Sequence, residues 1–212
     1  MNEALNKQLG EITEYRGVEG LVAAEILKDG ETYETGDVFA IAGVAEISKS
    51  TDSSSEPHYY DNIPAIVINS AGSDEITCNV SAIPQEVLAK ITGQMYDSTT
   101  GALIEGDGQT KYFALGYKTQ KTNGDEVYVW RLKGTFGIPE STHVTKDDGT
   151  DANGQEITYT GISTTHKFNK AGNKGARALN VDLGKDLADV SKFFDKVTTP
   201  DDLKAKVDTP QG

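Results

Sequence analysis

Cysteine is almost missing: Cys78 is the only one in 212 residues. An intramolecular disulfide is therefore excluded, which fits a chain made and folded in a reducing cytoplasm. Long apolar runs are missing too, since no stretch approaches the ~18 consecutive apolar residues that a membrane-crossing helix needs. The opening Met-Asn-Glu-Ala-Leu-Asn-Lys has no apolar leader core, so neither a secretory signal nor a membrane partner is expected. Basic residues are scarce, 20 Lys and Arg against 33 Asp and Glu, for a net charge of −13. Gripping nucleic acid requires cations to displace counterions from phosphates, so a nucleic-acid-binding role is disfavoured. The deficit is local as well. No Lys or Arg stands between Lys49 and Lys90, while Asp52, Glu56, Asp61, Asp74, Glu75 and Glu86 fall in that interval.

What the sequence has in quantity is alternation of period two, from about Val18 to Phe168. In Glu75 to Ala82, Ile76, Cys78, Val80 and Ala82 point one way, and Glu75, Thr77, Asn79 and Ser81 the other. That is a strand with one buried and one polar face. Tyr112 to Lys118 and Val127 to Lys133 flank Asn123-Gly124, a strong hairpin signal. The returning arm sets Tyr128, Trp130 and Leu132 on one face against Val127, Val129 and Arg131 on the other. Leu21 to Lys28 (closed by Asp29-Gly30), Val38 to Ser48, Ile63 to Asn69 and Ile157 to Phe168 bring the count to seven or eight strands. The pattern is that of a sandwich or barrel. One helix is expected in Ile83 to Gly93, with Pro84 at its first helical position, Gly93 past its end, and Val87, Leu88 and Ile91 as its apolar stripe.

Three segments read as long loops: Ser48 to Asn62, Tyr96 to Thr110, and Pro139 to Glu156. After Phe168 the character changes. A polar, glycine-containing linker (Asn169 to Gly175) leads into Gly184 to Val197, which reads as an amphipathic helix carrying Leu187, Val190, Phe194 and Val197. Thr199-Pro200-Asp201-Asp202 resembles a capping box opening a last short helix through Val207. The organisation expected is an arm over residues 1–16, a β-domain over 17–168, and a linker with a helical extension over 169–212.

A search for chemistry finds no catalytic, cofactor or metal site. His58, His143 and His166 are far apart in sequence, with no nucleophile elbow nearby. Cys78 lies on the apolar side of its strand and reads as a core residue, and no Cys/His spacing suits zinc. Asp147 to Gly154 approaches a calcium-loop pattern, but position 1 would be Gly149 and position 12 Thr160, so both key carboxylates are missing. Gly172-Asn173-Lys174-Gly175 lacks the spacing and ending of a phosphate loop.

The ordered succession of segments resembles the major tail tube proteins of long-tailed bacteriophages infecting Gram-positive bacteria. The resemblance is carried by Gly17 to Ala24, Ile41 to Ile47, Tyr59-Tyr60-Asp61-Asn62, Ile91 to Asp97, Phe113 to Lys118, and Val127 to Phe136 running into Pro139. It covers about Gly17 to Phe168, and the tail from Lys170 departs from it. It implies a mainly β fold, a β-sandwich or half-barrel with one flanking α-helix. It also implies self-assembly into stacked, hexameric rings that form a conduit in the virion tail, put together in the host cytoplasm. The other partners it implies are a tape measure protein, a tail terminator and distal tail proteins, with double-stranded DNA passing through the lumen unbound. On this reading Thr51, Asp52, Ser53, Ser54, Glu56, Tyr59 and Tyr60 are candidates for contacts between rings, and Asp74, Glu75, Thr77 and Asn79 for the lumen. The competing class is a non-catalytic β-sandwich binding module for carbohydrate or a cell surface.

Overall fold

A computed structural model describes residues 12–145 and 153–206. The expected arm over residues 1–16, the centre of the loop between Pro139 and Glu156, and the end of the last expected helix fall wholly or partly outside those ranges.

The chain is mainly β, and its frame is one antiparallel sheet of ten strands. β1 (Tyr15–Asp29), β2 (Tyr33–Thr35) and β3 (Phe39–Ala40) come first, and the long pair β4 (Val44–Tyr60) and β5 (Ile63–Val80) follows. After the helix and the small hairpin β6 (Met95–Asp97) and β7 (Ala102–Ile104) come β8 (Phe113–Lys121), β9 (Glu126–Phe136), β10 (Glu140–Ser141), β11 (Gln155–Gly161) and β12 (Ala178–Asp182). The path through the sheet runs β2-β1-β8-β9-β11-β5-β4. β9 is shared along its other edge: its first half (Val127 to Arg131) pairs β12, and its end (Gly134 to Phe136) pairs β11.

The sheet curls back toward its own first strand. β3 pairs β1 at Val22 and Ala23 and leads within four residues into β4, so the far edge of the path returns beside β1. The concave side holds one core, with Ile76, Cys78, Phe113, Leu115, Val127, Val129, Ile157 and Tyr159 buried together. The convex side of β1, β8 and β9 holds a second core around Trp130, Leu132, Phe168, Val181, Phe193 and Val197. The expected division of β9 into a Tyr128/Trp130/Leu132 face and a Val127/Val129/Arg131 face is thus what separates the two cores. Gly116 permits the packing, since a Cβ there would sit 2.8 Å from the Trp130 ring.

The helix α1 (Gln85–Thr92) begins one residue after its expected first position and stops where its end signal predicts. Pro84 is its N-cap and Gly93 ends it in the left-handed conformation, φ 70°. Its buried residues, Ala89 and Ile91, face the concave core, with Val87 and Leu88 half-buried against it.

Two expectations are corrected. Ser48 to Asn62 is not a loop, because all but its last two residues belong to β4 and the last two form the turn. The C-terminal segment is not a helical extension. Among the described residues it contains two short 3₁₀ turns (Asn169–Ala171 and Leu183–Lys185), β12, and the pair β13 (Ala188–Asp189) with β14 (Lys204–Ala205). Asp and Ser side chains take its backbone out of helical geometry. Asp182 accepts from Gly184 N–H, and Asp189 from Ser191 N–H. The expected capping box does form, Thr199 and Asp202 exchanging side-chain-to-backbone bonds, but the turn it opens ends there. This segment docks on its own sheet, where Trp130 Nε1 donates to Phe193 O at 2.9 Å.

Candidate assembly surface

β4 and β5 continue well beyond the body as a two-stranded arm. Their register runs from Val44 opposite Val80 to Tyr60 opposite Ile63. The two-residue turn at the tip is Asp61-Asn62, both residues at positive φ (51° and 65°), the geometry that matches the twist of a tight hairpin. β5 supplies the β-propensity through Ile66, Val67 and Ile68. β4 contributes Ser53-Ser54-Ser55-Glu56-Pro57, residues that pair because their partner strand templates them. Pro57 is tolerated because β4 is an edge strand.

A register shift between Thr51 and Ser53 marks where the arm leaves the body. Asp74 anchors this root. Its carboxylate accepts from Thr51 Oγ1 at 2.7 Å, Arg131 Nη1 at 3.2 Å and Arg177 Nη1 at 3.4 Å, with Lys49 Nζ at 3.8 Å.

Beyond the root no third strand supports the ribbon. β11 pairs β5 only from Asp74 to Val80, and β4 pairs only β5 among the described residues. Six large apolar side chains, Tyr59, Tyr60, Ile63, Ile66, Val67 and Ile68, are each 51–65% exposed there. The register, with its shift between His58 and Tyr59, places Tyr60, Ile63, Ile66 and Ile68 on one face and Tyr59 and Val67 on the other, so both faces are apolar. A two-stranded ribbon alone in water is marginal, and each such side chain contributes roughly 1.5–3 kcal/mol on full burial. The arm therefore has the physical character of a surface awaiting cover.

A second feature is the outer face of β4, β5 and β11. Cross-strand register aligns Glu46, Ser48 and Ser50 with Asn79, Thr77 and Glu75, and these with Glu156, Thr158 and Thr160. All nine are polar, none is basic, and none is buried. Asn79 Nδ2 donates to Glu46 Oε2 at 3.3 Å across it.

A third is a cleft of about 650 Å³ where β1 and β4 splay apart. Val18 and Ile47 line its walls, Val127 and Val129 its floor, and Arg131 and Lys49 its charged side.

The candidates for contacts between rings all fall on β4. Thr51 is half-buried at the root, Ser54 Oγ lies 2.6 Å from Ser70 Oγ, and Asp52, Ser53, Glu56, Tyr59 and Tyr60 are exposed along the arm. The lumen set divides. Glu75, Thr77 and Asn79 share the polar face, but Asp74 points to the opposite side of the strand and is 3% exposed. One step along a strand reverses the face, and Arg131, which Asp74 pairs with, is buried on that side. Glu46, Ser48, Ser50, Glu156, Thr158 and Thr160 were missed, although the alternation Glu156-Ile157-Thr158-Tyr159-Thr160 carried half of that signal.

Cys78 is buried among apolar side chains, and burial pushes its thiol up to about 12. His166 Nδ1 lies 2.9 Å from Gly30 O, and its backbone N–H donates to Asp29. No three His, Cys, Asp or Glu side chains among the described residues group so as to hold a metal. No helix among them is long and apolar enough to cross a membrane.

The fold and this surface define a mainly β protein built on a curled antiparallel sheet with a projecting, uncovered hairpin. No protein-family model matches the chain, and no curated protein matches it.

Proposed function

We propose that this protein is a non-enzymatic structural subunit that assembles with copies of itself, of the kind that forms the tail tube of long-tailed bacteriophages. The observation that carries the reading is the β4–β5 arm, with apolar side chains exposed on both faces and both strand edges unpaired among the described residues. A second copy is a natural cover for such a ribbon, because main-chain pairing between identical subunits satisfies the edges and closes a ring or a stack.

The nine-residue polar face of β4, β5 and β11 is the lumen candidate. It carries Glu46, Glu75 and Glu156 without a cation. A surface of that character repels phosphate and lets DNA slide past unbound. In this reading the chain resides in the virion tail, in stacked hexameric rings. The tape measure, terminator and distal tail proteins are its neighbours at the inside and ends of the tube. Negative-stain electron microscopy of the concentrated protein tests the proposal. Hollow tubes or stacked rings are the expected result, and a monomer that binds glycan would favour the binding-module class.

A further inference from the structure

We propose that the tip of the β4–β5 arm of one copy seats in the cleft between β1 and β4 of another. This rests on the self-assembly reading above and adds to it the receiving site.

The cleft has the features of an unfilled slot. One wall is β1, paired over residues 15–20 only on the side of β8, and the other is β4, paired only with β5, among the described residues. Each wall therefore presents unpaired backbone groups that an incoming strand can satisfy. The floor is apolar, from Tyr117, Val127 and Val129. The volume, about 650 Å³, lies in the range of about 300–1,000 Å³ typical of sites that enclose a compact ligand. One side is cationic. Lys49 and Arg131 line it there, against the single carboxylate of Glu46 on the wall. Arg131 is 7% exposed, and its Nε has no hydrogen-bond partner among the described residues. The slot is thus apolar beneath, positive on one side, and holds a buried donor in want of an acceptor.

The arm tip is its complement. Tyr59, Tyr60 and Ile63 are exposed around the turn, Asp61 sits at its apex, and no Lys or Arg occurs from residue 50 to residue 89. Its β4 edge is unpaired among the described residues. The tip cannot fill its own cleft. β4 forms one wall and then runs on past Thr51 for nine more residues, roughly 30 Å of strand, carrying the tip away. The contact is therefore between copies and joins two different surfaces, the head-to-tail geometry that closes rings or propagates filaments.

The test is a cysteine pair, Tyr60→Cys on the tip and Ala45→Cys on the cleft wall, in the full chain under mild oxidation at assembling concentration. The buried Cys78 does not compete. The double variant is expected to give a ladder of disulfide-linked oligomers, and a mixture of the two single variants a dimer containing one of each. As a second reading, Asp61→Lys should raise the concentration needed for assembly at least tenfold. Three results would overturn the proposal. Tubes or rings without a cross-link would place the arm elsewhere and leave the self-assembly reading intact. A cross-link within one chain would make the contact internal. Neither assembly nor cross-link at any concentration would remove both readings together.

Discussion

Arg131 and Asp74 face each other across the concave side of the sheet, Nη1 to Oδ2 at 3.2 Å, with their side chains 9% and 5% exposed. The pair joins the middle of β9 to the root of the β4–β5 arm. Removing one partner of a buried ion pair leaves the other charge without compensation, at a cost of about 3–5 kcal/mol. Asp74→Asn should lower the free energy of unfolding by that much, measured by urea unfolding. The neighbouring Glu75→Lys, on the exposed polar face, should fold normally. Equal tolerance of both substitutions would refute the assignment of the two residues to opposite faces.

Asp29 makes stability depend on pH. Burial alone would raise its carboxyl pKa, but donation from His166 N–H, Lys133 Nζ and Thr165 N–H outweighs it and holds the group below its ordinary value. A depressed carboxylate stabilises the folded state above the unfolded pKa of about 3.9 and loses that contribution as pH falls through the folded value. Asp29→Asn should therefore be less stable than the parent near neutrality, by on the order of 2 kcal/mol. The gap should narrow below about pH 4. Unfolding midpoints at pH 7 and pH 3 check the sign.

Gly116 leaves no room for a side chain. Ala there would press a Cβ onto the fully buried Trp130, whose ring sits between β9 and the C-terminal segment. Overpacking of this kind costs about 1–3 kcal/mol. Calorimetry of Gly116→Ala should show a lowered melting temperature, whereas Gly124→Ala, which meets nothing within 4 Å, should suffer only the strain of its φ of 94°.

The thiol of Cys78 should be silent in the native protein. Pushed up to about 12, it carries on the order of 10³-fold less thiolate at pH 8 than a free cysteine. A thiol-reactive disulfide reagent should label it only on unfolding. Rapid labelling of the folded chain would contradict its burial.

Much of the frame was legible because local signals and tertiary packing agreed. The alternation around Cys78, the Asn123-Gly124 turn and the Pro84/Gly93 boundaries each led to the element observed. The arm was half legible. Ile63 to Asn69 read as a strand, but Ser53 to Pro57 is poor in strand formers and takes its conformation from the partner across the ladder. The C-terminal segment misled through spacing. Leu187, Val190, Phe194 and Val197 fit a helical stripe, yet Leu187 is 68% exposed while Val197 is buried under Trp130's core. The bonds from Trp130 Nε1 and Thr198 Oγ1 to Phe193 O fix a turn where a helix was expected. The cleft was invisible to sequence reading, because it depends on how far β1 and β4 diverge rather than on any motif.

The most direct measurement compares the parent chain with one in which residues 53–71 are replaced by Asn-Gly, by sedimentation velocity over a concentration series with electron microscopy of the same samples. The shortened chain should keep its melting temperature and remain monomeric throughout, while the parent forms rings or tubes. Assembly of the shortened chain at the same concentrations as the parent would contradict the claim that the arm holds the copies together.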